Sequence, residues 1–142
     1  MEGKARILIY GFSAEDGERI DAALAEVGVP PTTKLRSTQG HVELAEIIAH
    51  DVDGPEGFSC SEALVLFYNV SEAGIRTLIP YIRNLEIPRP IFAMVTETSY
   101  RWTLARLLEH LIEEKRGVER REAENRAAAL FEEEAQSEPE GS

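Results

Sequence analysis

The chain has 142 residues, 43% of them hydrophobic, so it can bury one substantial core but not two domains of ordinary size. Its 26 acidic and 15 basic residues give a formal net charge of −11, which repels phosphate backbones and anionic lipids and argues against nucleic acid and membrane partners. No apolar run approaches the roughly 20 residues of a membrane-spanning helix, and no signal peptide pattern opens the chain, so we expect a cytoplasmic protein.

The first third of the sequence predicts a strand, a helix and a second strand. Residues 7–10 form an apolar run that is typical of a strand buried on both faces. Ser13 follows with acidic residues behind it, as at the start of a helix. Gly28 precedes two prolines and therefore ends this helix at about Val27. Residues 32–36 form a weaker, more polar strand candidate.

The middle of the chain predicts a helix, a loop and a further strand-helix pair. Apolar side chains at helical spacing lie within residues 41–50, and residues 51–57 are rich in turn formers. Residues 63–68 form the second long apolar run and predict another buried strand. A helical pattern follows, which Pro80 is expected to kink or restart.

The last third predicts a strand, an amphipathic helix and a tail. Residues 91–95 are apolar, and leucines recur at helical spacing from residue 104 to residue 112. The composition then becomes acidic and polar, so residues 117–142 are expected to be an acidic helical or disordered tail. Residues 1–116 are therefore predicted to form a single α/β domain.

The two halves of this domain, residues 5–36 and 63–95, are predicted to be an internal repeat. A constant shift of 58 residues, without a gap, superposes identical residues. The matched pairs are Leu8 with Leu66, Tyr10 with Tyr68, Ser13 with Ser71, and Pro30 with Pro88.

The order of elements allows two folds, each with a small sheet of about four strands. If residues 41–50 form a crossover helix, right-handed strand-helix-strand steps give a mostly parallel sheet of flavodoxin or Rossmann type. If they form a decorated loop, the result is a ferredoxin-like α+β sandwich. The continuous apolar runs favour the first fold, because they suit strands covered on both faces.

Candidate ligand-binding residues follow from the rule that open α/β sheets bind ligands beyond the carboxyl ends of their strands. In a parallel sheet the three strand ends would lie on one rim. Hydroxyls and helix N-terminal amides there could bind an anion. Arg101 could hold an anion by a bidentate contact, and Tyr100 and Trp102 could form a stacking surface for a ligand or partner. Both sets also suit plain helix caps and packing. The candidate residues are Ser13, Asn69, Ser71, Thr96, Thr98, Ser99, Arg101 and Trp102.

The sequence lacks the motifs of common catalytic and cofactor sites. Neither strand-to-helix turn is a GxGxxG or a phosphate-binding loop, and the three histidines lack the spacing of a zinc site. We therefore predict no catalytic residue, no metal and no cofactor. Enzymatic activity is left open, with a non-enzymatic role favoured.

Three segments resemble an uncharacterised family of small bacterial α/β domains of unknown function. They are Tyr10-Gly11-Phe12-Ser13 after the first strand, Pro88-Arg89-Pro90-Ile91-Phe92-Ala93 at the fourth strand, and Trp102-Thr103-Leu104 before the last helix. The resemblance covers roughly residues 5–115. It implies a shared fold and no activity that can be carried over.

The leading functional hypothesis is a non-enzymatic binding or regulatory module that engages a protein partner or forms a homodimer. The terminal helix and residues 100–102 are the surface we expect it to use. The alternative is a small-molecule binding protein or enzyme whose site lies at the carboxyl ends of the strands.

Overall fold

The structure, a computed structural model, describes residues 3–137 and, from residue 3 to residue 131, their side chains. The chain divides into two compact units, Met1–Leu108 and Glu109–Ser142. The predicted boundary between residues 116 and 117 falls within the last helix. Residues 138–142, the end of the predicted tail, lie outside the described residues.

The elements follow the predicted order, with small changes at their ends. Pro80 lies inside a single helix, so the predicted restart is not observed. In chain order the elements are β1 (Arg6–Tyr10), α1 (Ala14–Ala25), β2 (Thr33–Lys34), α2 (Leu44–His50), β3 (Leu64–Tyr68), α3 (Glu72–Arg83), β4 (Ile91–Met94) and α4 (Leu104–Ser137), with short 3-10 helices at Ser37–Gln39 and Ser99–Arg101.

The four strands form one sheet in the order β2-β1-β3-β4. The outer pairings, β1 with β2 and β3 with β4, are parallel, whereas the central pairing of β1 with β3 is antiparallel. The predicted class is confirmed: this is an α/β fold with a four-stranded, mostly parallel sheet. The ferredoxin-like alternative is not observed, because the two strands of each strand-helix-strand unit lie side by side: β2 pairs with β1, and β4 pairs with β3.

The antiparallel centre follows from the path between β2 and β3. The helix α2 leads away from the end of β2, and the loop after it returns along the same route. Gly54 N donates to Thr38 O at 2.7 Å, and Phe58 N donates to Ser37 O at 3.1 Å. The Phe58 ring then stacks on Tyr10, with ring centroids 5.3 Å apart. Because the chain is back at the end of β1, β3 must run in the opposite direction.

The sheet is covered on both faces. On one face, alternate residues of β1 and β3 pack against α1 and α3 in a cluster. The other face carries Leu8, Leu64 and Leu66, which are fully buried, as are Leu44 of α2 and Leu104 at the start of α4. The cluster on the first face comprises Ile7, Ile9, Ile20, Leu24, Val65, Phe67 and Ile82.

The two strand-helix-strand units are built alike. The spans of α1 and α3 are each 12 residues long and differ by the shift of 58 residues predicted from the sequence. Gly11 and Asn69, at equivalent places before these helices, both have positive φ angles, +84° and +55°. The central register also fits the shift, because Leu8 lies directly opposite Leu66.

The similarity extends beyond the second strand of each unit, where the shift becomes 60 residues. Leu8 pairs with Thr33 in the first unit and Leu66 with Ala93 in the second. Glu43 forms an isolated antiparallel bridge with Thr103, its own equivalent. Beside this bridge, Leu44 N donates to Trp102 O at 2.9 Å and Leu104 N donates to Val42 O at 3.2 Å. The units are therefore joined by reciprocal contacts, as around a local two-fold axis.

Within residues 3–137, the structure contains no helix long and apolar enough to cross a membrane.

Candidate functional site

The fold separates the predicted ligand-binding residues into two groups. Because β1 is antiparallel to β3, Tyr10 lies beside Leu64, at the start of β3. Ser13, which follows β1, therefore lies at the opposite end of the strands from Asn69, Ser71 and the residues that follow β4. The single rim expected for a fully parallel sheet is thus wrong. The residues after β1 cannot share a site with those after β3 and β4, whereas the residues after β3 and after β4 lie at the same end of the sheet.

Ser13 and Ser71 act as helix N-caps. The Ser13 hydroxyl accepts from Asp16 N at 3.1 Å, and the Ser71 hydroxyl accepts from Gly74 N at 3.0 Å. Each satisfies one of the free amides at the start of its helix. A role in ligand binding stays a prediction for both.

Thr96 and Ser99 bind each other in a compact turn after β4. Thr96 N donates to the Ser99 hydroxyl at 2.9 Å, and Ser99 N donates to the Thr96 hydroxyl at 3.1 Å. Ser99 is buried. Thr98 precedes the short helix but caps it with no side-chain hydrogen bond. This turn shapes the chain before α4, whose first amides are capped by Thr103, the acceptor for Arg106 N at 3.2 Å.

The aromatic residues after this turn are held by packing. Tyr100 stacks on Tyr68 with ring centroids 5.9 Å apart. The Arg106 guanidinium lies 4.5 Å from the centroid of the Trp102 ring, a cation-π contact. Arg101 is exposed, with its guanidinium 5.8 Å from the Tyr100 ring. Of residues 100–102, Arg101 is the side chain most available to a ligand or partner.

A cleft of about 560 Å³, named here the β3-end cleft, lies at the β3 end of the sheet. It opens where β3 ends, beside Val70, and where β1 begins. Its walls are mainly apolar and come from β1, the loop after α1, and α3. The lining residues are Lys4, Ala5, Arg6, Ile7, Gly28, Val29, Pro30, Pro31, Thr33, Val70 and Leu78.

The basic residues at this cleft differ in how they are held. Arg6 donates to Ile48 O at 2.5 Å and to the Thr33 hydroxyl at 2.8 Å, so its guanidinium is fixed. Lys4 is exposed, and its ammonium group has no hydrogen bond or ion pair with the side chains described, those of residues 3–131. Asn69 donates to Gly3 O at 3.0 Å and thereby ties the strand end to the segment that carries Lys4. Among the described side chains, the Lys4 ammonium group therefore stands without a partner at an apolar cleft.

Sequence reasoning missed this cleft. It concentrated on the residues directly after each strand, whereas most of the cleft wall comes from the loop after α1 and from the start of β1. A signal was present in the sequence, because the small residues Gly28 and Val70 correspond to Glu86 and Phe12 at the shift of 58. The smaller side chains at Gly28 and Val70 lie at the cleft, so this difference between the halves indicates where the cleft opens.

A polar network lies at the other side of the molecule, around the buried side chain of Gln39. Its amide donates to Asp51 Oδ1 at 2.7 Å, and its oxygen accepts from Arg36 N at 2.9 Å. Arg36 also pairs with Asp53 at 2.9 Å. The hydrogen bonds from Arg36 and then Thr38 lower the pKa of Asp53. All these groups bond to one another, so the network holds the loop after α2.

The described residues contain no group of three or more His, Cys, Asp or Glu side chains that could hold a metal ion.

Residues 63–117 match a family described as a domain of unknown function, DUF3783. The match covers less than half of the chain and is consistent with the uncharacterised family that the sequence resembles. It begins just before β3 and ends within α4, so it spans the second of the two similar units. No significant match was found among curated proteins or among solved structures.

Proposed function

We propose that this protein is a non-enzymatic interaction module, and that it associates with a second copy of itself through the exposed part of α4. The observation that carries the proposal is the exposure of every residue from 118 to 131 in this helix, including Leu130 at 61% and Phe131 at 72%. Large apolar side chains exposed together on one surface are typical of an interaction site.

The apolar residues of this segment lie on one face. Ala123, Ala127, Leu130 and Phe131 are spaced by four, three and one residues, which places them within one stripe of an α-helix. The two alanines allow a second helix to approach closely, and Leu130 and Phe131 supply the area to be buried. This stripe is short, so we expect a weak, concentration-dependent dimer.

Charge favours a second copy in antiparallel orientation. Residues 115–121 carry four basic side chains and one acidic side chain, whereas residues 132–134 are all glutamates. Two antiparallel copies bring the basic segment of one to the acidic segment of the other, and two parallel copies bring like charges together. Pairing centred on residue 125 sets Ala123 against Ala127 and Arg116 against Glu134.

Sedimentation velocity of the full chain over a range of protein and salt concentrations tests this proposal. We expect a monomer-dimer equilibrium that shifts toward monomer as salt rises, because exposed charges are screened. Leu130→Lys should shift it to monomer, because it removes apolar area and sets a second positive charge against Arg120 of the other copy. Val118→Lys is the matched control, since Val118 is also exposed but lies on the opposite face of the same helix.

A charge exchange tests the orientation. Arg116→Glu and Glu134→Arg should each weaken the dimer, and the two substitutions together should restore it, because the pair is then reversed. A monomer at all concentrations would exclude self-association. A dimer that the double exchange does not restore would exclude the antiparallel pairing.

The remaining expectations belong to the same proposal. We infer a cytoplasmic, bacterial setting from the composition and from the resemblance of the sequence to its family. We also infer that the two similar units arose by internal duplication. The equal spans of α1 and α3 and the bridge between Glu43 and its equivalent Thr103 support the duplication.

A further inference from the structure

We propose that the β3-end cleft binds a small amphipathic carboxylate, with its apolar body between the walls and its anionic group at Lys4. This inference concerns a different surface from the exposed segment of α4 and does not depend on self-association.

The size and the walls of the cleft suit a small apolar ligand. Its volume of about 560 Å³ lies within the roughly 300–1,000 Å³ of typical small-molecule sites. Ala5, Ile7, Val29, Val70 and Leu78 supply apolar surface from four separate parts of the fold. Several rigid elements thus converge on one space, which is how preformed sites are built.

Comparison of the two units shows that the cleft is open because its wall residues are small. At the shift of 58 residues, Val70 corresponds to Phe12 and Val29 corresponds to Ile87. Val70 and Phe12 are both partly buried and pack against the same core cluster. The fold therefore accommodates a phenyl ring at this position in one unit, while the other unit has a smaller side chain beside a cavity.

The charge at the rim selects an anion. Lys4 has no ion-pair partner among the side chains of residues 3–131, although the chain as a whole has a net charge of −11. Its equivalent at the shift of 58 is Glu62, so the sign of the charge differs between the units. Arg6 adds positive potential nearby but is already fixed by Ile48 and Thr33. A carboxylate on an apolar body would match both the apolar wall and the Lys4 ammonium group.

Titration calorimetry of the full chain with octanoate, and with octanol as the uncharged counterpart, tests the site. We expect octanoate to bind more tightly than octanol. Val70→Phe should weaken octanoate binding about tenfold or more by filling the cleft. Phe12→Leu is the matched control, because it changes the equivalent position of the other unit and should leave binding unchanged. Thermal melting of both variants is the check that each is folded.

Lys4→Glu separates the charge from the cavity. Since Lys4 is exposed, this variant should fold normally and lose about fivefold in octanoate affinity, with no change for octanol. The proposal is overturned if octanoate does not bind at millimolar concentration, or if folded Val70→Phe binds it as tightly as the original protein. Equal affinities for octanoate and octanol, unchanged by Lys4→Glu, would also overturn it.

Discussion

Gly11 and Asn69 occupy the same place in the two strand-to-helix turns, yet they differ in the space around them. Both have positive φ angles, which L side chains rarely adopt. A Cβ on Gly11 would lie 2.9 Å from Glu62 O and 3.1 Å from Ala63 Cα, both in the backbone. Asn69 carries a side chain and uses it to bind Gly3 O. Glycine is therefore required at the first turn only.

This difference predicts unequal costs for substitutions at equivalent positions. Gly11→Ala should lower the free energy of unfolding by about 2 kcal/mol or more, because a strained φ angle and a backbone clash add. Asn69→Gly should cost less than about 1 kcal/mol, the worth of one exposed hydrogen bond. Urea unfolding followed by circular dichroism measures both. Equal costs would show that the clash at Gly11 is relieved by movement of the loop before β3.

At the scale of elements, α1 is tied to the start of β2 by Asp21. Its carboxylate accepts from Thr32 N at 2.9 Å and from the Thr32 hydroxyl at 2.7 Å, and it pairs with Lys34. Burial alone would raise the pKa of Asp21, but the hydrogen bonds from Lys34 and Thr32 outweigh burial, and the pKa is lowered. The ionised form is therefore favoured by folding.

Asp21→Asn should cost about 1 kcal/mol at neutral pH, since a partly exposed ion pair and a hydrogen bond are lost. A lowered pKa gives stability that is present above the unfolded value of about 3.9 and is lost as the pH falls through the folded value. The difference between variant and original protein should thus shrink below about pH 4. Urea unfolding at pH 7 and pH 3 measures it, with exposed Glu18→Gln as the control. A pH-independent difference would contradict the prediction.

Most elements could be predicted because their signals are local. The apolar runs of β1 and β3 and the caps Ser13 and Ser71 are read from a few consecutive residues. The direction of β3 relative to β1 could not be predicted, because it depends on the return of the loop after α2 along Ser37 and Thr38. The β3-end cleft was missed for the same reason, as its walls lie far apart in the sequence.

At the scale of the whole compact unit Met1–Leu108, both strand-helix-strand halves contribute to the centre of the sheet. Leu8 and Leu66 face each other across β1 and β3, and both are fully buried. The reciprocal bridge between Glu43 and Thr103 joins the halves a second time. Neither half keeps its core covered without the other, so the two should unfold together.

Leu66→Ala tests this coupling. It should lower the free energy of unfolding by about 2–5 kcal/mol, the range for a buried leucine, while keeping one cooperative transition. Trp102 fluorescence and the reactivity of the Cys60 thiol, on different parts of the chain, should give the same midpoint. Val118→Ala, at an exposed position outside the proposed dimer contact, is the control and should change stability by less than about 0.5 kcal/mol. Separate midpoints would show that the halves unfold independently.

Two similar units on one chain have a freedom that two copies of one chain lack. In a symmetric dimer, every substitution appears twice, so a cavity opened in one subunit is opened in the other and the loss of packing is doubled. In this chain, Phe12 fills its position while Val70 leaves space at the equivalent one. One half can thus keep the packing that stabilises the sheet, while the other half acquires a cleft at the end of β3.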